Sequence, residues 1–460
     1  MDKYKRLASN TLIFAIGTFG SKMLSFFLTR LYTEVLDKAQ YGITDLIQQS
    51  GNLLLPLVTL GITNAVVRFG LDENVRKQDV FTTGLLSLFG GMVLLFAITP
   101  LLGMINLLNG YVWLLCLFVF MSSLRSLCAQ FVRAQSRVKL FAIDGILSTA
   151  TTILFNIVYL VVFRWGVFGF IFSIICSDAL SVIFLFVTAK LHRYIRFRGI
   201  EHKQSKAMLK YSIPLIPNTV LWWITNVSDR YLVAAFCGEA ENGMYAAAYK
   251  IPSLIMLASG IFMDAWQISA FTEKEERDRF YSKVMSTYSS LLFVMASGVI
   301  LFTRFVPRLL FAAEFYEAWR YIPVLVVAMV FTCIVNFLGS IYMLEKKSAR
   351  SLITAAISAV LNVLLNLWWI PKFGVQGAAV ATLVCYLVVF VIRLVDTRKY
   401  IRIQWNYVRL ILCTVIIMVQ TVLLLLEVPL WVVWEAVLFA AVTLLCGKGV
   451  LESLRRVLRR

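Results

Sequence analysis

Apolar runs of about 20 residues or more, separated by short polar breaks, recur from one end of the chain to the other. A hydrocarbon core about 30 Å thick is crossed by about 20 helical residues, whereas barrel strands would show as alternating segments of about ten residues. The pattern therefore predicts membrane-crossing helices. Fourteen spans are expected, at 10–32, 43–67, 80–101, 110–133, 140–163, 167–189, 212–236, 243–269, 284–306, 321–343, 350–370, 374–395, 406–427 and 429–447. The longest polar break, Leu191 to Lys210, mixes Arg193, Arg196, Arg198, Lys203 and Lys206 with Tyr194, Ile195, Phe197 and Ile200, as an amphipathic segment at a membrane interface does. The expected fold is all-α and polytopic. It has a six-span lobe over 1–190, a connector over 191–211, a second six-span lobe over 212–397, and two further spans with a basic tail over 398–460.

The two lobes echo each other. Arg30 precedes Gly42 by 12 residues across the turn into the second span, and Arg230 precedes Gly243 by 13 across the turn into the eighth. Phe155-Asn156 leads to Gly166-Val167-Phe168-Gly169, and Leu361-Asn362 leads to Gly374-Val375-Gln376-Gly377. Echoes about 200 residues apart point to an internal duplication, with pseudo-symmetric parallel halves and a cavity expected between them. Pro56 and Pro252 should kink the second and eighth spans, which neighbouring helices tolerate in lipid.

Composition and charge narrow the class. With 60% hydrophobic residues the chain exceeds the roughly 45–50% of soluble domains. The net charge of +19 could suggest nucleic acid, but its placement does not. If the N-terminus is cytoplasmic, 33 of the 44 lysines and arginines lie near that face and 7 near the other, so both termini are expected inside. Basic runs such as Arg455, Arg456, Arg459 and Arg460 then read as topology signals and lipid-headgroup contacts. The first apolar run, flanked by Lys3, Lys5 and Arg6, is too long for a signal peptide and is expected to be retained. The eight cysteines fall in or beside apolar runs without ligand-like spacing. His192 and His202 share one polar loop, so no metal or cofactor site is expected.

Embedded charge carries the functional expectation. Lys22, near the middle of the first span, costs about 2.5–3.5 kcal/mol at that depth, so its ammonium should face protein or water. The functional reading is a water-filled, anion-accepting cavity; the alternative is an internal salt bridge that braces helices. Arg30, Arg230 and Lys250 lie on related spans of the two halves, with Arg125 a weaker candidate. Such cations hold phosphate by charge-assisted hydrogen bonds. Asp45, Asp178, Asp229 and Asp264 either neutralise neighbouring cations or couple transport. Arg68, ending the second span at the cytoplasmic face, reads as a topology anchor rather than a substrate contact, the alternative it leaves open, and Trp222 and Trp223 either pack or stack on a sugar. A membrane polymerase or glycosyltransferase would want catalytic groups on a sizeable outer loop, and the stretch from Arg304 to Arg320 offers only Glu314 and Glu317. A cation-coupled drug exporter would prefer acidic cavity residues.

Several short motifs, in order, carry a resemblance: Asn10-x-Leu12 to Gly17, Tyr41-Gly42, Leu60-Gly61-Ile62 through Arg68-Phe69, and Gly374-Val375-Gln376-Gly377-Ala378-Ala379. In these the chain resembles the multidrug/oligosaccharidyl-lipid/polysaccharide exporter superfamily, and within it the Wzx-type polysaccharide flippases. The resemblance implies a V-shaped pair of lobes in the bacterial cytoplasmic membrane. Such a protein moves undecaprenyl-pyrophosphate-linked oligosaccharide to the outer leaflet for surface polysaccharide synthesis, without enzymatic chemistry. Glycosyltransferases and a polymerase are the implied partners. Ser21-Lys22 is similar to a serine-arginine of lipid II flippases, which marks Lys22 as a pyrophosphate contact. A further mid-helix arginine of that branch is missing here, and two spans beyond twelve set the chain apart from multidrug exporters.

Overall fold

A computed structural model of the chain describes Phe26 and residues 28–103, 110–197, 200–272, 277–345 and 347–458. Every regular element among the described residues is helical. After α1 (28–35) come α2 (Lys38–Val58), α3 (Ile62–Gly70), α4 (Lys77–Leu102), α5 (Val112–Ala134), α6 (Val138–Asn156), α7 (Gly166–Thr188), α8 (His202–Ser212) and α9 (Ile216–Cys237). The chain continues through α10 (Glu239–Lys250), α11 (Ser253–Thr272), α12 (Arg277–Leu301), α13 (Val306–Leu310), α14 (Ile322–Leu344), α15 (Ser348–Thr397), α16 (Tyr407–Leu425) and α17 (Trp431–Leu458). Among the described residues eight helices are long and apolar enough to cross a membrane, or ten if each of two bent pairs counts as one span. From the second onward each of the fourteen hydropathy windows falls on a helix or a bent pair, the eleventh and twelfth sharing the 50-residue α15.

The two bent pairs lie at the expected prolines. Pro56 has no N–H to donate within α2, and the helix ends two residues later. Leu60 and Gly61 then turn left-handed at φ 52° and 62°, and α3 departs 56° from α2. Pro252 sits in the break between α10 and α11, which are bent by 44°.

The repeated glycine motif also has a physical cause. Gly166 and Gly374 open the last span of each half at φ 54° and 59°, a conformation that side chains with a Cβ rarely adopt. Three residues on, Gly169 and Gly377 pack against a carbonyl of the preceding helix: an added Cβ would lie 3.0 Å from Tyr159 O and 2.6 Å from Trp369 O. Gly377→Ala should therefore cost about 1–3 kcal/mol, read as a lower unfolding midpoint of the purified protein in detergent. Each half also ties its fifth span to its first through a buried asparagine. Asn156 donates to the Tyr32 hydroxyl at 3.1 Å and accepts from Ser173 at 2.9 Å, while Asn362 accepts from Ser228 at 3.0 Å.

The chain divides into two compact units, Met1–Trp223 and Ile224–Arg460, the division falling inside α9. In the first, α5 is central, packing on α2, α3, α4, α6 and α7. The connector region is tied to α4: Thr82 donates to Tyr194 O at 3.1 Å, Thr83 and Ser205 share a 2.8 Å hydrogen bond, and α8 packs on α3 and α4. In the second unit, α14 is apolar and buried nearly all round, as a central helix must be. It packs on α12 and α15, while α16 and α17 pack on α12. Arg393 of α15 is 1% exposed: its guanidinium sits beside Gly339 and donates to Val335 O and Thr354 Oγ1, both at 2.8 Å. It is a packing residue, although its place near the end of the expected span 374–395 is one from which arginines usually reach water.

Candidate functional site

The bend at Gly61 positions a polar cavity within the first unit. Beyond it, α3 runs against α5 and α8 and carries Thr63, Asn64, Val67 and Arg68 along one side. α5 contributes Ser126, Gln130 and Arg133, spaced i, i+4 and i+7 so that all three share a face. Tyr211 of α8, then Leu215, Asn218 and Thr219, complete a cavity of about 540 Å³. The Arg68 guanidinium lies 4.4 Å from the centre of the Tyr211 ring, which holds it by a cation–π contact and leaves its N–H groups available. Arg133 is likewise exposed, over the Phe141 ring at 5.8 Å. The Asn218 Oδ1 is buried without a hydrogen-bond partner. Two guanidiniums, three amides, three hydroxyls and a phenol ring thus line a space between helices that are otherwise apolar. Guanidiniums suit phosphate oxygens, and amides and hydroxyls suit the hydroxyls of a sugar.

The other face of α5 does different work. Arg125, one residue before Ser126, meets Asp178 of α7 at 3.2 Å and Asp144 of α6 at 3.6 Å, and its Nε donates to Ser181 at 3.1 Å. Ser122 donates to Asp178 and Ser181 to Asp144. This network joins three helices, and its two carboxylates are almost fully buried. Here Arg125 and Asp178 are paired with each other across two helices, the geometry that the bracing alternative expects.

The remaining candidates are dispersed. Arg30 is about half exposed and pairs with Glu34 one helical turn on, at 2.5 Å. Asp45 is buried on α2, with Gln49 Nε2 at 3.4 Å from its carboxylate. In the second unit, fully buried Asp229 accepts from the Tyr245 and Tyr249 hydroxyls at 2.8 and 2.9 Å and from Thr382 at 3.2 Å, linking α9 to α10 and α15. Its neighbour Arg230 places its guanidinium 4.6 Å from the Tyr249 ring centre, and half-buried Lys250 closes α10. Lys22 and the Asp264 side chain lie outside the described residues. Sequence reasoning missed Arg133, Tyr211, Asn218 and Asp144. The polar row Ser126, Gln130 and Arg133 on an apolar span is the signal that marks the cavity wall.

Comparison with known proteins bears on what such a cavity serves. The profile of a family described as "Polysaccharide biosynthesis protein" matches residues 7–267. A curated protein of Haloferax volcanii, "Probable low-salt glycan biosynthesis flippase Agl15", is 24% identical over 221 residues. That match covers 46% of this chain and 46% of the relative, so the aligned stretch spans about half the length of either protein. Among solved structures, "Lipid II flippase MurJ, inward closed conformation" superposes with a TM-score of 0.73 at 14% identity, over 98% of this chain and 100% of that one. An inward-facing "multidrug resistance MATE family transporter of the MOP superfamily" gives 0.69 at 14% identity, over 82% and 94%. At these identities the two structures establish the fold, which is the one the sequence motifs imply.

Proposed function

Because the chain belongs to the polysaccharide biosynthesis protein family, we propose that it is a flippase for a polyprenyl-diphosphate-linked oligosaccharide, moving it from the cytoplasmic to the outer leaflet of a bacterial cytoplasmic membrane. The observation that carries this reading is the cavity of about 540 Å³, which brings Arg68 and Arg133 together with amides and hydroxyls inside a unit built of membrane-type helices. A diphosphate and its sugars lose water when they leave the aqueous phase, and these groups return hydrogen bonds that hydrocarbon cannot. In this proposal Arg68 and Arg133 receive the diphosphate from the cytoplasmic side, the amides and Tyr211 hold the glycan, and the prenyl tail stays in lipid. Lys22, Arg230 and Lys250 remain candidates for the same anion on the strength of their depth in spans 1, 7 and 8, while Arg30 already shares its charge with Glu34. The duplicated build suits alternating access. An inside-negative potential favours outward movement of the anion by about 2.3 kcal/mol per charge per 100 mV. Glycosyltransferases would supply the substrate and a polymerase would consume it.

The test is a proteoliposome assay with a fluorescent polyprenyl-diphosphate oligosaccharide, scored both for transbilayer movement and for new glycosidic bonds. Movement that depends on the protein, with the substrate recovered unchanged, is the expected result. A covalent product, or no movement above protein-free vesicles, would replace this reading with the transferase one or remove it.

A further inference from the structure

The segment between α15 and α16 carries Arg398, Lys399 and Arg402, which the sequence assigns to topology and to general lipid-headgroup contact without a defined site. The structure holds this segment in one shape. Ile401 and Ile403 are buried, the Arg402 N–H donates to Asp278 Oδ1 at 3.1 Å, and the Gln404 N–H donates to Ser282 Oγ at 2.8 Å. Pinned in this way, the segment presents Arg398, Arg402 and Gln404 outward. Together with Ile403, Trp405 and Tyr407 they line a cavity of about 360 Å³. Arg398 donates to the Tyr407 hydroxyl. The nearby carboxylate of Asp396 is engaged elsewhere, with Lys399 at 3.1 Å and Arg350 at 3.9 Å. The Asp278 carboxylate meets the Arg402 backbone, and among the described residues neither the Arg398 nor the Arg402 guanidinium forms an ion pair, so the cavity lining itself carries two positive charges and no negative one.

A second observation points to the ligand's other end. On α15, Val388, Val391 and Val395 are exposed at helical spacing, and Arg398 continues the same row. On α16, Val408, Ile411, Val415, Val419 and Val422 form an exposed apolar row that starts beside Tyr407. A cationic cavity with a tryptophan and a tyrosine at its edge, from which two apolar rows run along spanning helices, matches an amphiphile: a phosphate in the cavity and acyl chains along the valines.

We propose that this cavity is a binding site for the phosphate of an anionic membrane phospholipid, held by the guanidiniums of Arg398 and Arg402. Membrane lipid is favoured over free phosphate because the apolar rows would otherwise have no function in recognition. The site belongs wholly to the second unit and does not depend on the flippase reading.

The experiment uses the full chain reconstituted in phosphatidylcholine bilayers containing about one part in five phosphatidylglycerol, then extracted in mild detergent. The retained lipid is quantified by mass spectrometry. Wild type should retain phosphatidylglycerol in preference to phosphatidylcholine. The Arg398→Gln/Arg402→Gln protein should bind it about thirtyfold more weakly, from about 1 kcal/mol per basic residue, with an unchanged unfolding midpoint. Arg398→Lys/Arg402→Lys should recover part of the retention. Equal retention by wild type and the glutamine variant would overturn the proposal. So would complete displacement of the lipid by millimolar inorganic phosphate, which would mark a free-phosphate site, or by a polyprenyl diphosphate at equal concentration, which would make this a substrate site.

Discussion

Arg125→Ala is expected to destabilise the first unit by about 3–5 kcal/mol, the usual cost of removing one partner from a buried ion pair. Among the described residues Arg125 is the one cation paired with the carboxylates of Asp144 and Asp178, whose side chains are only 2% and 6% exposed. Without it, two negative charges remain buried among apolar helices with no other cation within ion-pair distance among the described residues. The check is the unfolding midpoint and the yield of monodisperse protein in detergent. Arg125→Lys should fall between wild type and alanine, since an ammonium keeps the charge but cannot fork two carboxylates. Restoring neutrality by adding Asp144→Asn and Asp178→Asn to Arg125→Ala should recover much of the stability, because the unpaired charge rather than the lost contact dominates the penalty. If Arg125 instead contacted substrate directly, the alanine variant would keep its stability and lose only transport.

The second large effect is on transport. Arg68 and Arg133 are exposed in the cavity, so their replacement by alanine should cost little stability beyond their cation–π contacts with Tyr211 and Phe141, about 0.5–1 kcal/mol each. Each hydrogen bond to a charged group contributes about 1.5–3 kcal/mol, so either substitution should slow lipid-linked glycan translocation by about tenfold to a hundredfold. The double variant should fall to the protein-free rate. Lysine at both positions should restore a fraction, since it supplies charge without the bidentate fork. The readout is the initial rate in proteoliposomes at matched protein content, and undiminished transport by a well-folded double variant would remove these two residues from the site.

Much of the fold was legible because its causes are local. Apolar run length set the spans, Pro56 and Pro252 marked the two bends, and the paired glycines from Gly166 and Gly374 marked matching turns. The cavity was less legible because its parts come from far along the chain. Arg68 sits where a topology anchor sits, and only the 56° bend after Pro56 brings it to Tyr211 and the neighbourhood of Asn218, about 150 residues away in sequence. Arg125 showed its charge but not its partners, since Asp144 lies on the next helix and helical packing decides which face meets it. Arg393 was hidden for the opposite reason. It lies at the end of a span, where arginines usually reach water, but the gap beside Gly339 draws it inward.

In the proposed function the cavity of the first unit recognises a lipid-linked diphosphate through Arg68 and Arg133. Equilibrium binding of a polyprenyl diphosphate to the purified full chain, with the parent polyprenol as control, tests it most directly. Saturable binding of the diphosphate, none of the polyprenol, and at least about thirtyfold weaker binding by Arg68→Ala/Arg133→Ala are expected. Equal affinity of wild type and that variant for the diphosphate would contradict it.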